Sequence, residues 1–231
     1  MITAHEHVLI TNPAAYAQLQ TADKASIVLL SDTHGNTDAV AWIFSEIEQH
    51  IDACLFAGDG AEDIINTIHI FNKNTSNLKL PAALIIARGN CDYAYCMLSS
   101  GEDEKPRKFD LPLYQHIKIA QQHILLTHGH LCNIDFDKQV LHQTACESGC
   151  TIAVHGHTHM QSLHYENHTV SINPGSPTYP RGGSPAGFAV LVLYAAQKTG
   201  SVTFYTLQQD KKGRFAAHIN AQHTLPQGIV Y

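Results

Sequence analysis

From residue 26 onward the chain alternates short unbroken apolar runs with stretches at helical spacing. Ile27-Val28-Leu29-Leu30, Ala53 to Ala57 and Ala82 to Ala87 are continuous apolar runs, as strands covered on both faces require. Residues 37–49 set Val40, Ile43, Phe44 and Ile47 along one side of a helix, and residues 61–71 read as a second helix. This rhythm predicts parallel strands joined by crossover helices, an α/β fold. The rhythm then changes. Residues 99–108 read as a polar, charged loop, strands fit 114–120 and 122–127, a helix fits 137–149, and a strand fits 151–155. Later strands fit 161–165, 168–172, 187–194 and 201–207. Near the start, Asn12-Pro13 offers a cap followed by proline at the first helical position, which predicts a short helix near 13–22. We therefore divide the chain into an N-terminal extension, 1–25, and a main domain, 26–231. Asn173 to Gly187 carries four prolines and four glycines. A structureless loop of that length inside a domain is uncommon and often functional.

Composition narrows the classes of function. The 231 residues carry a formal net charge of −6 and form no basic run. That argues against a nucleic-acid partner, whose phosphates need clustered cations. The six cysteines form no CxxC pair, as expected in a reducing compartment. The longest apolar stretch, Phe188 to Ala196, is too short to span a bilayer. With no charged start followed by an apolar run, the expectation is a cytoplasmic protein without membrane contact.

Candidate chemistry gathers in five short segments, each where a predicted strand ends. In Ser31-Asp32-Thr33-His34-Gly35-Asn36, residues two apart on an extended chain share a side, so Asp32 and His34 can grip one cation. Gly58-Asp59-Gly60 offers a carboxylate whose two oxygens can serve two metals. In Arg88-Gly89-Asn90-Cys91-Asp92, Asn90 offers a neutral carbonyl oxygen, and the Arg88 fork suits phosphate. Thr127-His128-Gly129-His130 and His155-Gly156-His157-Thr158-His159 supply five imidazoles; on an extended chain His157 and His159 face one way. Taken singly, each segment also fits a plain turn. Together they are hard to ascribe to accident.

In that order the five segments resemble the calcineurin-like metallophosphoesterase superfamily, and within it the small YfcE-type phosphodiesterases. The resemblance covers roughly 26–195, including Asn173-Pro174-Gly175-Ser176 and Pro180-Arg181-Gly182-Gly183. It implies a four-layer α-β-β-α sandwich with the site on strand-end loops. It implies two divalent cations, Mn²⁺ favoured over Fe²⁺, Zn²⁺ or Ni²⁺. Asp32, His34, Asp59 and His159 would hold one, and Asp59, Asn90, His128 and His157 the other, with Asp59 bridging. His155 matches no family ligand and reads as structural or supporting.

The implied activity is hydrolysis of a small phosphodiester by in-line attack of a bridging hydroxide. Two cations about 3.5–4 Å apart would lower the pKa of that water. Against Asp32, Asp59 and hydroxide they leave a positive centre, which attracts phosphate despite the chain's net −6. Asp59, Asn90, His128 and His130 are the candidate catalytic residues, with His130 the candidate general acid. Arg88, Cys91 and Arg181 are candidate substrate contacts. Cys91 stands where many larger members carry a histidine, and a neutral thiol is a poor proton donor. Three alternatives stay open: a phosphomonoesterase, a nuclease, and a non-catalytic docking scaffold such as the retromer subunit Vps29, which resembles the family but has lost metal ligands. Small members often self-associate, so a homo-oligomer is an open partner state.

Overall fold

The computed structural model describes residues 3–5, 7–47, 50–73, 79–99, 105–166 and 168–226. In chain order the elements are β1 (Thr3–His5), β2 (Val8–Ile10), α1 (Pro13–Leu19), β3 (Lys24–Leu30), α2 (Thr37–Glu46), β4 (Ala53–Phe56), α3 (Ala61–Asn72), β5 (Ala83–Ile86), β6 (Tyr95–Leu98) and β7 (Arg107–Asp110). There follow β8 (Tyr114–Ile119), β9 (Gln122–Thr127), α4 (Gln139–Glu147), β10 (Ile152–Val154), β11 (Gln161–Glu166), β12 (Thr169–Pro174), β13 (Gly187–Tyr194), β14 (Thr199–Gln209) and β15 (Phe215–Leu225). One sheet runs β1-β2-β5-β4-β3-β13-β14-β15, a second runs β11-β12-β10-β9-β8, and β6 and β7 form a separate pair.

Strand alternation builds the layers. Ile27, Leu29, Leu55 and Ile85 of the first sheet meet Ile124, Leu126, Ile152 and Val154 of the second in one buried core. The opposite face of the first sheet, through Val28, Leu30, Phe56 and Leu84, is covered by Val40, Ile43 and Phe44 of α2 and Ile64, Ile65 and Ile68 of α3. On the far face of the second sheet, Leu125 and Ala153 pack under Leu141 and Ala145 of α4. The result is the expected order of helices, sheet, sheet and helix. Among the described residues no helix is long and apolar enough to cross a membrane.

Several expectations are corrected. Residues 107–108, read as loop, belong to β7; residues 100–104 of the same stretch lie outside the described residues. Helix α2 stops at Glu46, with Ile47 already extended at ψ 117°; positions 48 and 49 lie outside the described residues. Asn173 and Pro174 are part of β12 and Gly187 opens β13, so the irregular segment is 175–186. Strands β1, β2, β6 and β15 were not foreseen. Of these, β2 pairs with β5 and places Leu9 in the core, so residues 8–10 extend the first sheet.

Candidate metal centre

Register sets where the site lies. Leu30, Phe56 and Ile86 are level across β3, β4 and β5, and Leu126 is level with Val154 across β9 and β10. The five loops that follow these strands therefore open together at their carboxyl ends, where α/β sheets bind ligands.

Asp32, His34, His157 and His159 do not leave extended backbone, contrary to expectation. Asp32, His34, Asp59, His157 and His159 all lie in the left-handed region, at φ 54°, 46°, 60°, 69° and 57°. Non-glycine residues there cost of order 1–3 kcal/mol each and cluster at functional sites. The turns aim several side chains from a few residues of chain at one point.

Six of the seven expected metal ligands converge. Asp32 Oδ1 lies 3.2 Å from His159 Nε2 and 4.0 Å from His34 Nε2, and those two nitrogens are 3.2 Å apart. Asp59 Oδ2 lies 3.4 Å from His128 Nε2, which is 3.0 Å from Asn90 Oδ1. Asp59 Oδ2 is also 3.9 Å from His34 Nε2, and Asp32 Oδ1 is 4.0 Å from His128 Nε2, so the two groups adjoin. The seventh stands aside. The His157 ring is 5.1 Å from that of His128, but its Nε2 is 3.1 Å from Asp135, and its backbone N–H donates to Asp32 Oδ2 at 3.0 Å.

The donor set fits divalent cations. Asp32 Oδ1 is fully buried and accepts no hydrogen bond in the structure, a costly condition unless a cation faces it. His128 and His159 donate Nδ1–H to the carbonyls of Ala57 (2.7 Å) and Tyr179 (2.6 Å), which leaves each Nε2 lone pair turned inward. Burial opposes ionisation of Asp59, yet the hydrogen bond and charge of His128 and the Cys91 backbone N–H hold its carboxyl well below the usual range. Burial likewise opposes charging His128 and His159, but the neighbouring carboxylates outweigh it and raise both.

A second ring of groups fixes the loops. Asp92 accepts from the backbone N–H of Asp59 (2.8 Å), Gly60 (2.9 Å), Ala61 (3.0 Å) and Gly89 (2.8 Å). Asp63 accepts from Gly35 N–H (2.9 Å) and from the hydroxyls of Thr33 (2.5 Å) and Thr37 (2.8 Å). From the irregular segment, Ser176 Oγ donates to Asp32 O at 2.7 Å and Thr178 Oγ1 to Thr33 O at 2.8 Å. Two glycines are required by close approach. A Cβ on Gly89 would collide with the Asp59 carboxylate, and one on Gly156 would come within 2.7 Å of Asp32 Oδ2.

Asp63 and Asp135 have no place in the sequence motifs, and Ser176 and Asp92 stand in them without a role. Only Asp92 carried a readable signal, a carboxylate three residues after a glycine turn that can bind nearby backbone N–H groups.

The remaining candidates flank the centre. His130 is half-buried, its ring 5.4 Å from that of His128, with Nδ1 buried and unpartnered. Burial, then the charges of His128 and His157, lower its pKa. Burial and the Asp59 carboxylate push the Cys91 thiol up to about 11, so it stays protonated. Arg88 is partly buried and its charge reaches His130. Arg181 is exposed, joined to the site through its backbone N–H to His159 O at 3.2 Å. His155 is fully buried and burial pushes its pKa down to about 3, which makes it a neutral structural group beside Asn173. A cleft lined by His34, Gly35, Asp59, Glu62, Cys91 and Tyr93 opens beside the centre.

The chain is similar to known proteins. The phosphodiesterase YfcE of Escherichia coli K12 is 25% identical over 181 residues, covering 71% of this chain and 86% of YfcE. The crystal structure of a predicted phosphoesterase from Streptococcus pneumoniae matches in fold, with a TM-score of 0.58 at 23% identity, over 87% of this chain and all of that one. Vacuolar protein sorting 29 from Cryptosporidium parvum matches with a TM-score of 0.59 at 19% identity, over 88% of this chain and all of that one; this is a likeness of fold. The calcineurin-like phosphoesterase superfamily domain matches residues 26–195, the span that supplies all five ligand-bearing loops, and the chain belongs to that superfamily.

Proposed function

We propose that this protein is a dinuclear metal-dependent phosphoesterase that hydrolyses small phosphodiesters, with Mn²⁺ the favoured cation. The observation that carries this reading is the buried Asp32 Oδ1, which accepts no hydrogen bond where three imidazoles and the Asp59 carboxylate meet. Asp32, His34, Asp59 and His159 would hold one cation, and Asp59, Asn90 and His128 the other, with His157 turning its ring from Asp135 to complete that set. When bound, such a pair lowers the pKa of a shared water and neutralises charge on the phosphoryl oxygens. The chain's own residues do the rest. Asp59, within reach of both groups, ties the two sites together. Arg88 and Arg181 supply cationic forks for the phosphate. His130, half-buried beside His128, is the residue assigned here to protonate the leaving oxygen. Cys91, protonated, lines the cleft without charge. All six cysteines are free thiols, which supports a reducing, cytoplasmic setting.

A docking scaffold of the Vps29 type is the rival reading, since that fold is shared. What favours an enzyme is that every expected position carries a metal-competent side chain. The test is a metal-dependent screen of bis-p-nitrophenyl phosphate and p-nitrophenyl phosphate, with Asp59→Ala as control. Mn²⁺-dependent turnover of the diester that Asp59→Ala abolishes is the expected result. Turnover that survives the substitution, or none with any divalent cation, overturns the reading.

A further inference from the structure

Helix α4 covers the outer face of the second sheet with Leu141 and Ala145, and beside them it buries a histidine. His142 is 1% exposed, and neither of its ring nitrogens has a hydrogen-bond partner. A neutral imidazole carries one donor and one acceptor, so both are left unsatisfied, and burying such groups unpaired is costly.

The sheet supplies companions. Ala153 of β10 pairs with Ser171 of β12, which pairs with His164 of β11, so all three side chains share the face under α4. Glu166, two residues beyond His164 on the same strand, shares it as well. The His142 and His164 rings are 5.4 Å apart at 65°, and His164 Nε2 lies 3.7 Å from Glu166 Oε2. One ligand atom from each of the three residues lies within 4.8 Å of the others. A tetrahedral zinc site with bonds of about 2.0–2.1 Å sets its ligand atoms roughly 3.4 Å apart, so small side-chain rotations suffice. Ser171 Oγ, on the same face, is also buried and unpartnered.

We propose that His142, His164 and Glu166 form a third metal site, separate from the phosphoesterase centre, that takes a single borderline divalent cation, Zn²⁺ first. Two imidazoles and a carboxylate are a zinc ligand set, with a further position left for water. The cation would pin α4 to β11, the outermost strand of the second sheet, and would satisfy the buried His142 ring.

The test loads the whole metal-free protein with Zn²⁺ alone, removes the excess by gel filtration and counts bound zinc by elemental analysis. Wild type is compared with His164→Ala and Glu166→Gln, two changes on the open side of the cluster. Each variant is expected to retain one equivalent fewer than wild type while its phosphoesterase rate is unchanged. Zinc content equal to wild type in both variants overturns the proposal. Because the readout is a difference, it stands whatever the main centre holds, so its failure is distinct from failure of the enzyme assignment. A second readout is thermal: Zn²⁺ raises the melting temperature of wild type by more than that of either variant, and an equal rise in all three counts against the site.

Discussion

At the scale of single residues, the groups behind the ligands matter as much as the ligands. Asp92 is not one of the converging side chains, yet its carboxylate gathers four backbone N–H groups of the loops after β4 and β5. Asp92→Asn replaces one acceptor oxygen with a donor and sets it against an N–H. Supporting substitutions of this kind cost about 10–100-fold in metal affinity or activity. The expected outcome is a loss in that range, with Mn²⁺ titration of the rate showing a weakened apparent affinity. His130 makes a sharper claim. If it protonates the leaving oxygen, His130→Ala slows esters with poor leaving groups more than those with p-nitrophenol, and equal slowing of both removes it from that role. The side chains that converge, and their order, were legible in the sequence, because strand ends punctuated by glycine are easy to find. Their conformations were not. Left-handed Asp32, His34 and Asp59 depend on contacts such as Asp59 O with His34 N–H (3.2 Å), which join segments remote in the chain. The Asp135 partner of His157 is equally invisible, since nothing local links residues 22 positions apart.

At the scale of elements, strands buried on both faces announced themselves and those at the margins did not. β4 and β5 are apolar throughout, and β3 is so from Ile27 to Leu30, which reads directly as buried strand. β15 is an outer strand whose only buried residue is Leu225, and its alternation of Phe215, Ala217, Ile219 and Ala221 is a weak signal because two of the four are alanine. β6 and β7 pair across residues that read as a charged loop, and only Cys96, Leu98 and Phe109 turn inward. The segment 175–186 is the instructive intermediate. Its composition flagged it, but its role as a strut came from buried Ser176. The hydroxyl donates to Asp32 O and accepts from Thr178 N–H (3.2 Å) and Tyr179 N–H (2.8 Å), while Tyr179 O in turn holds His159. Ser176→Ala removes the side-chain partner of three backbone groups, of which Asp32 O is buried. A destabilisation of about 1–3 kcal/mol by urea unfolding is expected, with Mn²⁺ affinity reduced alongside. A stability loss without change in affinity would detach the strut from the metal centre.

At the scale of the whole molecule, the centre sits on the seam of the sandwich. Asp32, Asp59 and Asn90 come from loops of the first sheet, and His128, His157 and His159 from loops of the second. Apolar packing of Ile27, Leu29 and Leu55 against Ile124, Leu126 and Val154 holds the sheets together below the seam. Above it, buried polar groups lean on each other across a gap where Asp32 Oδ1 lacks a hydrogen bond. Cations that bind the folded state alone therefore act as a clasp between sheets. Free Mn²⁺ at a hundred times its dissociation constant adds about 2.7 kcal/mol for one site. For a domain of this size that is a rise of roughly 5–11 °C in melting temperature. Chelation should reverse the rise, and Asp59→Ala should remove most of it, since Asp59 adjoins both groups. Substitutions at His164 or Glu166 should leave the Mn²⁺ response intact, because that cluster lies on the outer face under α4. If metal-free and Mn²⁺-saturated protein melt together, the loops are already locked by Asp92, Asp63 and Ser176. The strain stored in the left-handed ligands would then be balanced by the protein alone, and the clasp would have no thermodynamic role.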